Sequence, residues 1–402
     1  MSVRTGYDRK VPGGELADRL RRFCGAMDGA HPDWEMCVIS GSVNMYYFTG
    51  TIQDGALIIE RDKGAVFWVR RSYERALAES AFGDIRRMNG FRDAAGAYSR
   101  IPDTVYLDMS EATMQWYGIF IKYFPFKKAL PADAVLQRVR SVKSPYEADI
   151  LRRAGGLADR LLREEVPALL RDGMTEAELG ADILALFIKN GHHGVHRFSA
   201  RNNETLLGHI GFSESPLTPS MFNSASGLAG LYPAAPVLGS RNAALERGDL
   251  VYVDIVFGLE GYNADKTLVY SFGKPQPRHV EDVHRHCLEL EALAASMLRP
   301  GVTPSQAYAT VCEAVRPELR GAFMGAAGRT VPFVGHGVGL YVDERPVIAD
   351  GFGEPLEPGM AIAIEPKIAV EGAGLVGSEN TYLVTDAGAE CLTGGVREII
   401  LI

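Results

Sequence analysis

Positive charge is in short supply in this chain: 42 Lys and Arg stand against 50 Asp and Glu, a net charge of -8 over 402 residues. Nucleic acids and anionic membrane surfaces bind through basic patches, so neither is expected as a partner. Short basic clusters such as RDKGAVFWVRR (61–71) are interrupted by apolar residues and are expected to be exposed strand faces. Long hydrophobic runs are also missing; none approaches the ~18 residues of a membrane span. The opening stretch MSVRTGYDRKVPGGELADRL has no apolar core that would serve as a signal peptide, which leads to the expectation of a cytoplasmic protein. Cysteine is sparse. The five residues, Cys24, Cys37, Cys287, Cys312 and Cys391, are odd in number, scattered and free of any C-x-x-C. They build neither a disulfide framework nor a zinc ribbon, and they read as free thiols in a reducing compartment.

The length exceeds one ordinary core and predicts two domains, with a boundary that gives 1–140 and 141–402. In the first part, strand-like MCVISGS, MYYFTGT, GALIIERD and GAVFWVRR alternate with helical ELADRLRRFCGAM and SYERALAESAF, an α/β pattern. Ser144-Pro145-Tyr146-Glu147 is a capping box with proline at the first helical position. The helix it opens carries a Gly155-Gly156 pair and is expected to kink near Pro167. Thr175 with Glu178 and Thr303 with Gln306 are two further capping boxes, and Gly191 is a stop for the helix that Thr175 opens. From about residue 195, hairpin-like strands alternate with helices, so the second domain reads as α+β with much antiparallel sheet.

Within DLVYVDIVFGLEGYNADKTLVY (249–270), Asp254 and Asp265 occupy the middle of two apolar segments. A turn at Leu259-Glu260 would place them directly opposite each other, with Cβ atoms ~4.5–5.5 Å apart. Carboxylates that close repel unless a proton or cation lies between them, and apolar flanks on both faces disfavour a wet strand. Three later segments supply more donors: His336 in FVGHGVGL, Glu365 in MAIAIEPKI and Glu379 in LVGSENTYLV. Singly, a histidine or a strand-end glutamate is more often structural. Together, four carboxylates and one imidazole suit two divalent ions.

In this order and spacing the five residues resemble the ligands of the pita-bread metallopeptidases, a group that includes methionine aminopeptidase, aminopeptidase P and prolidase, and they look most like the prolidase branch. VRSVKSPYEADILRRAG and ALERGDLVYVD add to the resemblance, and GSVNMYYFTGT is similar to the creatinase/prolidase N-terminal domain. The resemblance implies an α+β chain, a C-terminal pita-bread fold preceded by a smaller α/β creatinase-like domain. It also implies two divalent ions (manganese, cobalt, iron or zinc) and a homodimer. Asp254 would bind one ion, His336 and Glu365 the other, and Asp265 and Glu379 both. Water between the ions would attack an amide bond, as in Xaa-Pro dipeptidases and aminopeptidases, with Glu365 taking its proton.

Other positions depart from that pattern. Where the prolidase branch carries two further histidines, this chain has Val237 in YPAAPVLGS and Asp343 in GHGVGLYVDERP. The Arg two positions before the last Glu is Gly377, and Glu-Pro-Gly has become Glu365-Pro366-Lys367. The peptide-handling shell is therefore rebuilt, which opens an alternative: a non-peptide hydrolase or lyase for a small charged metabolite, similar to ectoine hydrolase or dimethylsulfoniopropionate lyase. Tyr252 stands where the latter resembles this chain but carries an additional Asp. Asp343 is a candidate substitute base or a ligand for a cationic substrate group. His209 either faces the cleft as a catalytic group or is a hydrogen-bonded core residue. Tyr232 and Tyr341, flanking the altered positions, join Val237 as candidate substrate contacts for a dipeptide or small molecule. Two motifs are set aside: GAGLVG (372–377) is followed by a strand rather than a helix, and HHGVH (192–196) reads as a surface loop.

Overall fold

The computed structural model divides the chain into two compact units, Met1–Arg140 and Ser141–Ile402, and describes residues 9–200, 203, 205–326 and 328–402. The first eight residues of the opening stretch read against a leader lie outside them. No helix among the described residues is long and apolar enough to cross a membrane.

In the first unit the alternating pattern folds into one six-stranded mixed sheet. Its strands are β1 (Met36–Ile39), β2 (Gly55–Glu60), β3 (Gly64–Val69), β4 (Ile85–Arg87), β5 (Thr104–Leu107) and β6 (Lys128–Pro131), in the order β4-β3-β2-β1-β5-β6. Helices α1 (Gly13–Ala30), α2 (Ser42–Thr49), α3 (Tyr73–Glu79), α4 (Phe91–Ala95), α5 (Met114–Phe120) and α6 (Asp133–Ser141) connect and follow them. Two expectations fail here. MYYFTGT is not a strand: Met45 to Thr49 lie in α2, which ends at Gly50 in the left-handed conformation (φ 72). Five of those positions are buried or nearly so, leaving no one-sided pattern to mark a helix. Nor is RDKGAVFWVRR an exposed face, because Phe67, Trp68 and Val69 of β3 are buried and exposure is kept for the flanking arginines. Asp108, just past β5, accepts the backbone N–H of Ser40 and Gly41 and the Ser40 hydroxyl, tying β5 to the turn after β1. Burial pushes its carboxyl up to about 6.

The second unit has four long helices, α7 (Pro145–Arg160), α8 (Glu176–Lys189), α9 (Arg278–Met297) and α10 (Pro304–Ala314). All three capping boxes close, with side chain and backbone bonded both ways at Ser144/Glu147, Thr175/Glu178 and Thr303/Gln306. Gly191 follows α8 at φ 94, the left-handed stop expected of it. After Arg160 the chain loosens into a π turn at Leu161–Glu165 and a tight turn at Val166–Leu169, so the break comes before Pro167 and absorbs it. Gly155 is required by packing: a Cβ there would stand 2.3 Å from the Leu392 carbonyl oxygen.

The main sheet contains β7 (Gly208–Phe212), β8 (Leu250–Leu259), β9 (Tyr262–Ser271), β12 (Phe333–Gly337), β13 (Glu344–Ala349), β14 (Ala361–Ile364), β17 (Glu379–Thr385), β18 (Gly388–Cys391) and β19 (Ile400–Leu401). Their order is β13-β12-β14-β17-β9-β8-β7, with β18 on β17 and β19 on β9. Two small hairpins stand apart: β10 (Gly325–Ala326) with β11 (Arg329–Thr330), and β15 (Lys367–Val370) with β16 (Gly374–Gly377). GAGLVG thus runs into strand, as expected. One apolar cluster joins Ala154, Ala158 and Ile183 of the first two helices to Val251, Val253 and Leu268. Another joins Leu290 and Val311 of the other two to Val334, Ile362 and Tyr382.

The β8–β9 register corrects the expected pairing. Leu259 pairs with Tyr262, Asp254 with Thr267 and Val256 with Asp265. The loop is Glu260-Gly261, both with positive φ (50 and 92), the turn type that matches strand twist and favours glycine second. Asp254 and Asp265 are therefore diagonal neighbours on one face of the sheet rather than opposed.

Candidate metal centre

Strand alternation gathers the site. Side chains two apart share a face, and one row across the sheet runs His209, Asp254, Thr267, Glu379 through the pairs His209↔Asp254, Asp254↔Thr267 and Glu379↔Thr267. Glu365 follows directly on β14, beyond the Ile364↔Asn380 pair, and its N–H donates to the Val334 carbonyl. The neighbouring row on the same face holds Asp265 and His336. Asp265 is anchored by its N–H to Thr381 Oγ1 (2.9 Å), and His336 pairs with Ala363. Glycines at 335 and 337 let the β12 backbone lie close to its neighbours: a Cβ at 335 would stand 2.4 Å from the Ala363 carbonyl oxygen. All five expected ligand residues thus converge.

Donor atoms of Asp265, His336 and Glu379 lie within 4.8 Å of one another. His336 Nε2 is 3.5 Å from Glu365 Oε1. Asp265 Oδ1 is buried and has no hydrogen-bond partner among the described residues, an orphaned charge-bearing atom in an environment that penalises it. Burial, then the Asp254 charge, pushes the Asp265 carboxyl up to about 7. Burial and Asp265 raise Glu379 well above the carboxylate range. Burial alone would lower the His336 imidazole, but Glu365 and Asp265 together raise it. These are the signs of a carboxylate cluster built around a cation, and the oxygen-rich set with one imidazole fits a divalent ion.

The Asp254 end is different. Asp254 Oδ2 accepts from the Tyr252 hydroxyl (2.9 Å), the Ser226 hydroxyl (3.2 Å) and Lys367 Nζ (2.9 Å). Lys367 Nζ also donates to Glu365 Oε2 (2.8 Å) and Glu379 Oε2 (2.9 Å), whose other contact is the Thr267 hydroxyl. Burial opposes ionisation of Asp254, yet Lys367 and His209 hold it well below the usual carboxylate range. The same three carboxylates overcome burial to raise Lys367. In the sequence Lys367 is marked only as a departure from Glu-Pro-Gly and Tyr252 only as the place of an additional Asp; Ser226 and Thr267 lie in no motif.

The remaining candidates separate. His209 is buried, its Nδ1 2.7 Å from Ser226 Oγ, so it reaches Asp254 through that hydroxyl. Burial holds its imidazole down to about 4, and Phe222 packs edge-on against it. Asp343 accepts from the Ser199 N–H and hydroxyl, and its charge acts on His336. Tyr341 is buried and its N–H donates to Glu344, which pairs with buried Lys143 at 3.1 Å. Tyr232 is largely exposed, 69%, and Val237 packs against the apolar cluster under β7–β9. HHGVH is not a surface loop. His192 and His196 are buried, the three rings lie 5.0–5.8 Å apart, and each accepts from or bonds to the β8–β9 hairpin at Gly258, Gly261 or Asn263.

Residues 149–386 match the model described as Metallopeptidase family M24, and residues 19–142 that of the Creatinase/Prolidase N-terminal domain. A curated Xaa-Pro dipeptidase of Pyrococcus furiosus is 26% identical over 96% of this chain and 100% of its own. The probable dipeptidase PepE of Mycobacterium tuberculosis is 34% identical over 67% of this chain and 63% of its own. Among solved structures, dipeptidase PepE from Mycobacterium ulcerans superimposes with a TM-score of 0.77 at 26% identity, covering 98% of this chain and 100% of that one. The prolidase from Pyrococcus horikoshii OT3 shares the fold, with a TM-score of 0.77 at 23% identity over 95% and 100%.

Proposed function

The chain belongs to metallopeptidase family M24, and from that premise we propose that it is a metal-dependent dipeptidase acting on short Xaa-Pro-type peptides. The observation that carries this is the convergence of Asp265, His336, Glu365 and Glu379 around a buried carboxylate oxygen without a partner. The Xaa-Pro dipeptidase and dipeptidase relatives support the peptide substrate. The non-peptide alternative has no counterpart among the relatives named above.

Asp265, His336, Glu365 and Glu379 would hold the ion, and a carboxylate-rich set of this kind suits manganese among the candidates. Bound there, a divalent cation supplies Lewis acidity to the scissile carbonyl and lowers the pKa of water. Glu365 would serve as base as well as ligand: Lys367 fixes its Oε2, and Oε1, facing His336, is the oxygen that would both hold the ion and take the proton. His209 positions rather than reacts, since its ring holds Ser226 and Ser226 holds Asp254. Asp343, held by the Ser199 N–H and hydroxyl, is proposed to receive a substrate ammonium group. Tyr341 and Tyr232 are proposed to frame the substrate, and Val237 to contribute apolar surface.

The test is hydrolysis of an Xaa-Pro dipeptide panel by manganese-loaded protein, with Asp265→Asn alongside. Turnover should fall by more than the roughly 10–100-fold that loss of an outer hydrogen-bond partner of a metal ligand costs. Folded, metal-loaded protein that cleaves no dipeptide overturns the substrate; full activity in Asp265→Asn overturns the site.

A further inference from the structure

Two departures in the sequence, lysine at 367 and glycine at 377, turn out to be one structural event. The residues face each other as a register pair in the β15–β16 hairpin. A Cβ at 377 would lie 2.5 Å from the Pro366 carbonyl oxygen and 2.9 Å from Lys367 Cγ, so the bare glycine leaves the lysine stem its course. The stem leads inward: the Lys367 side chain is 1% exposed. An ammonium has three N–H donors and no acceptor. Here each finds one carboxylate oxygen, on Asp254, Glu365 and Glu379, at 2.8–2.9 Å.

Lys266, a buried lysine of β9, shows the contrast. Lys266 Nζ donates to the Asn380 amide oxygen and the Thr393 carbonyl, with Asp159 at 3.6 Å, a mixed set typical of a structural lysine. Lys367 bonds to carboxylates alone. Two of them, Asp254 and Glu379, belong to the set that the resemblance assigns to the first of two ions. Divalent ions take oxygen and nitrogen ligands at ~2.0–2.2 Å, and an ion on Asp254 Oδ2 and Glu379 Oε2 would compete with the ammonium for the oxygens it already occupies.

We propose that Lys367 is a built-in cation occupying one half of the centre, so that the protein takes a single divalent ion, held by Asp265, His336, Glu365 and Glu379. This deepens the metal reading above and rests on it. The two halves divide the donors: Lys367 satisfies Asp254 and one oxygen each of Glu365 and Glu379, while Asp265 Oδ1 stays without a partner and faces the other half. One ammonium and one divalent ion balance the four carboxylates to within a single charge. The centre is then mononuclear by sequence.

The test counts ions. Metal-stripped full-length protein is saturated with manganese(II), freed of excess by gel filtration and assayed for manganese per chain, with electron paramagnetic resonance on the same samples. Wild type should hold one manganese with the six-line spectrum of an isolated ion. K367G should hold two, with exchange-coupled signals. Two ions in wild type, or one in a folded K367G, overturns the inference while leaving the metalloenzyme reading standing. Folded wild type that retains none overturns both. If K367G does not fold, the wild-type count and spectrum decide alone.

Discussion

Acid should destabilise this protein through the histidine cluster beneath the β8–β9 hairpin, by an amount the structure allows to be worked out. His192 Nδ1 accepts the Gly258 N–H at 2.9 Å, and its ring lies against Phe187 and Phe257. Burial, then the neighbouring His193, holds its imidazole down to about 4; burial, then His192, holds His196 at about 3. In the unfolded chain each ring takes up its proton near pH 6.5, and in the folded chain only well below that. Between those values the unfolded state binds more protons, so stability present at neutral pH is lost as pH falls. From pH 7 to 5 the loss is about 2 kcal/mol per ring, or roughly 4 kcal/mol for the pair, at ~1.4 kcal/mol per pKa unit. Carboxyls raised by burial, such as Asp265, act in the opposite direction, so the informative quantity is a difference between variants. In His192→Phe the Gly258 N–H loses its acceptor, which costs about 1–3 kcal/mol at pH 7. The variant also loses one ring's acid penalty, so its deficit should shrink by about 2 kcal/mol at pH 5. Urea denaturation followed by far-ultraviolet circular dichroism measures both. Trp34, Trp68 and Trp116 all lie in the first unit, and their fluorescence serves as an internal reference that the substitution should not move. Parallel losses in wild type and variant between pH 7 and 5 would refute the account.

Gly155→Val should cost at least about 1–3 kcal/mol, because its Cβ meets a backbone carbonyl that cannot swing aside; thermal denaturation reads this as a lowered Tm. Asp108→Ala strips the acceptor from the buried Gly41 N–H and the part-buried Ser40 N–H, at about 1–3 kcal/mol for the first and less for the second. It should shift the tryptophan-detected transition of the first unit and leave manganese binding per folded chain unchanged.

The convergence of these five residues was legible because each stands out by chemistry in an unsuitable place: aspartates in apolar strands, a histidine between glycines, glutamates at strand ends. Helix starts were legible because capping is local. What failed was non-local. The register slipped because the glycine at 261 was not given its due as the second residue of a turn with positive φ at both centres. Residues 45–49 form a helix because burial on every side erased the amphipathic period that separates helix from strand. HHGVH reads as solvent-exposed because much of what covers His192 and His196 is the β8–β9 hairpin, some 60 residues further along the chain. Lys367 was noticed as a broken motif, yet a charge is understood only from what it faces, and its three partners come from three different strands' worth of sequence.

Strand β17 lies between β14 and β9, in the middle of the sheet, yet it follows both in the chain. While the polypeptide is being synthesised, β7–β8–β9 and β12–β13–β14 can form as separate halves, each ending in an unpaired edge. Open apolar edges recruit other chains, and closing them over so long a sequence separation is slow. The sheet therefore closes late, with Glu379 arriving on the strand that seals it. A nascent chain stalled before that point would be both aggregation-prone and unable to bring Glu379 to the other four residues.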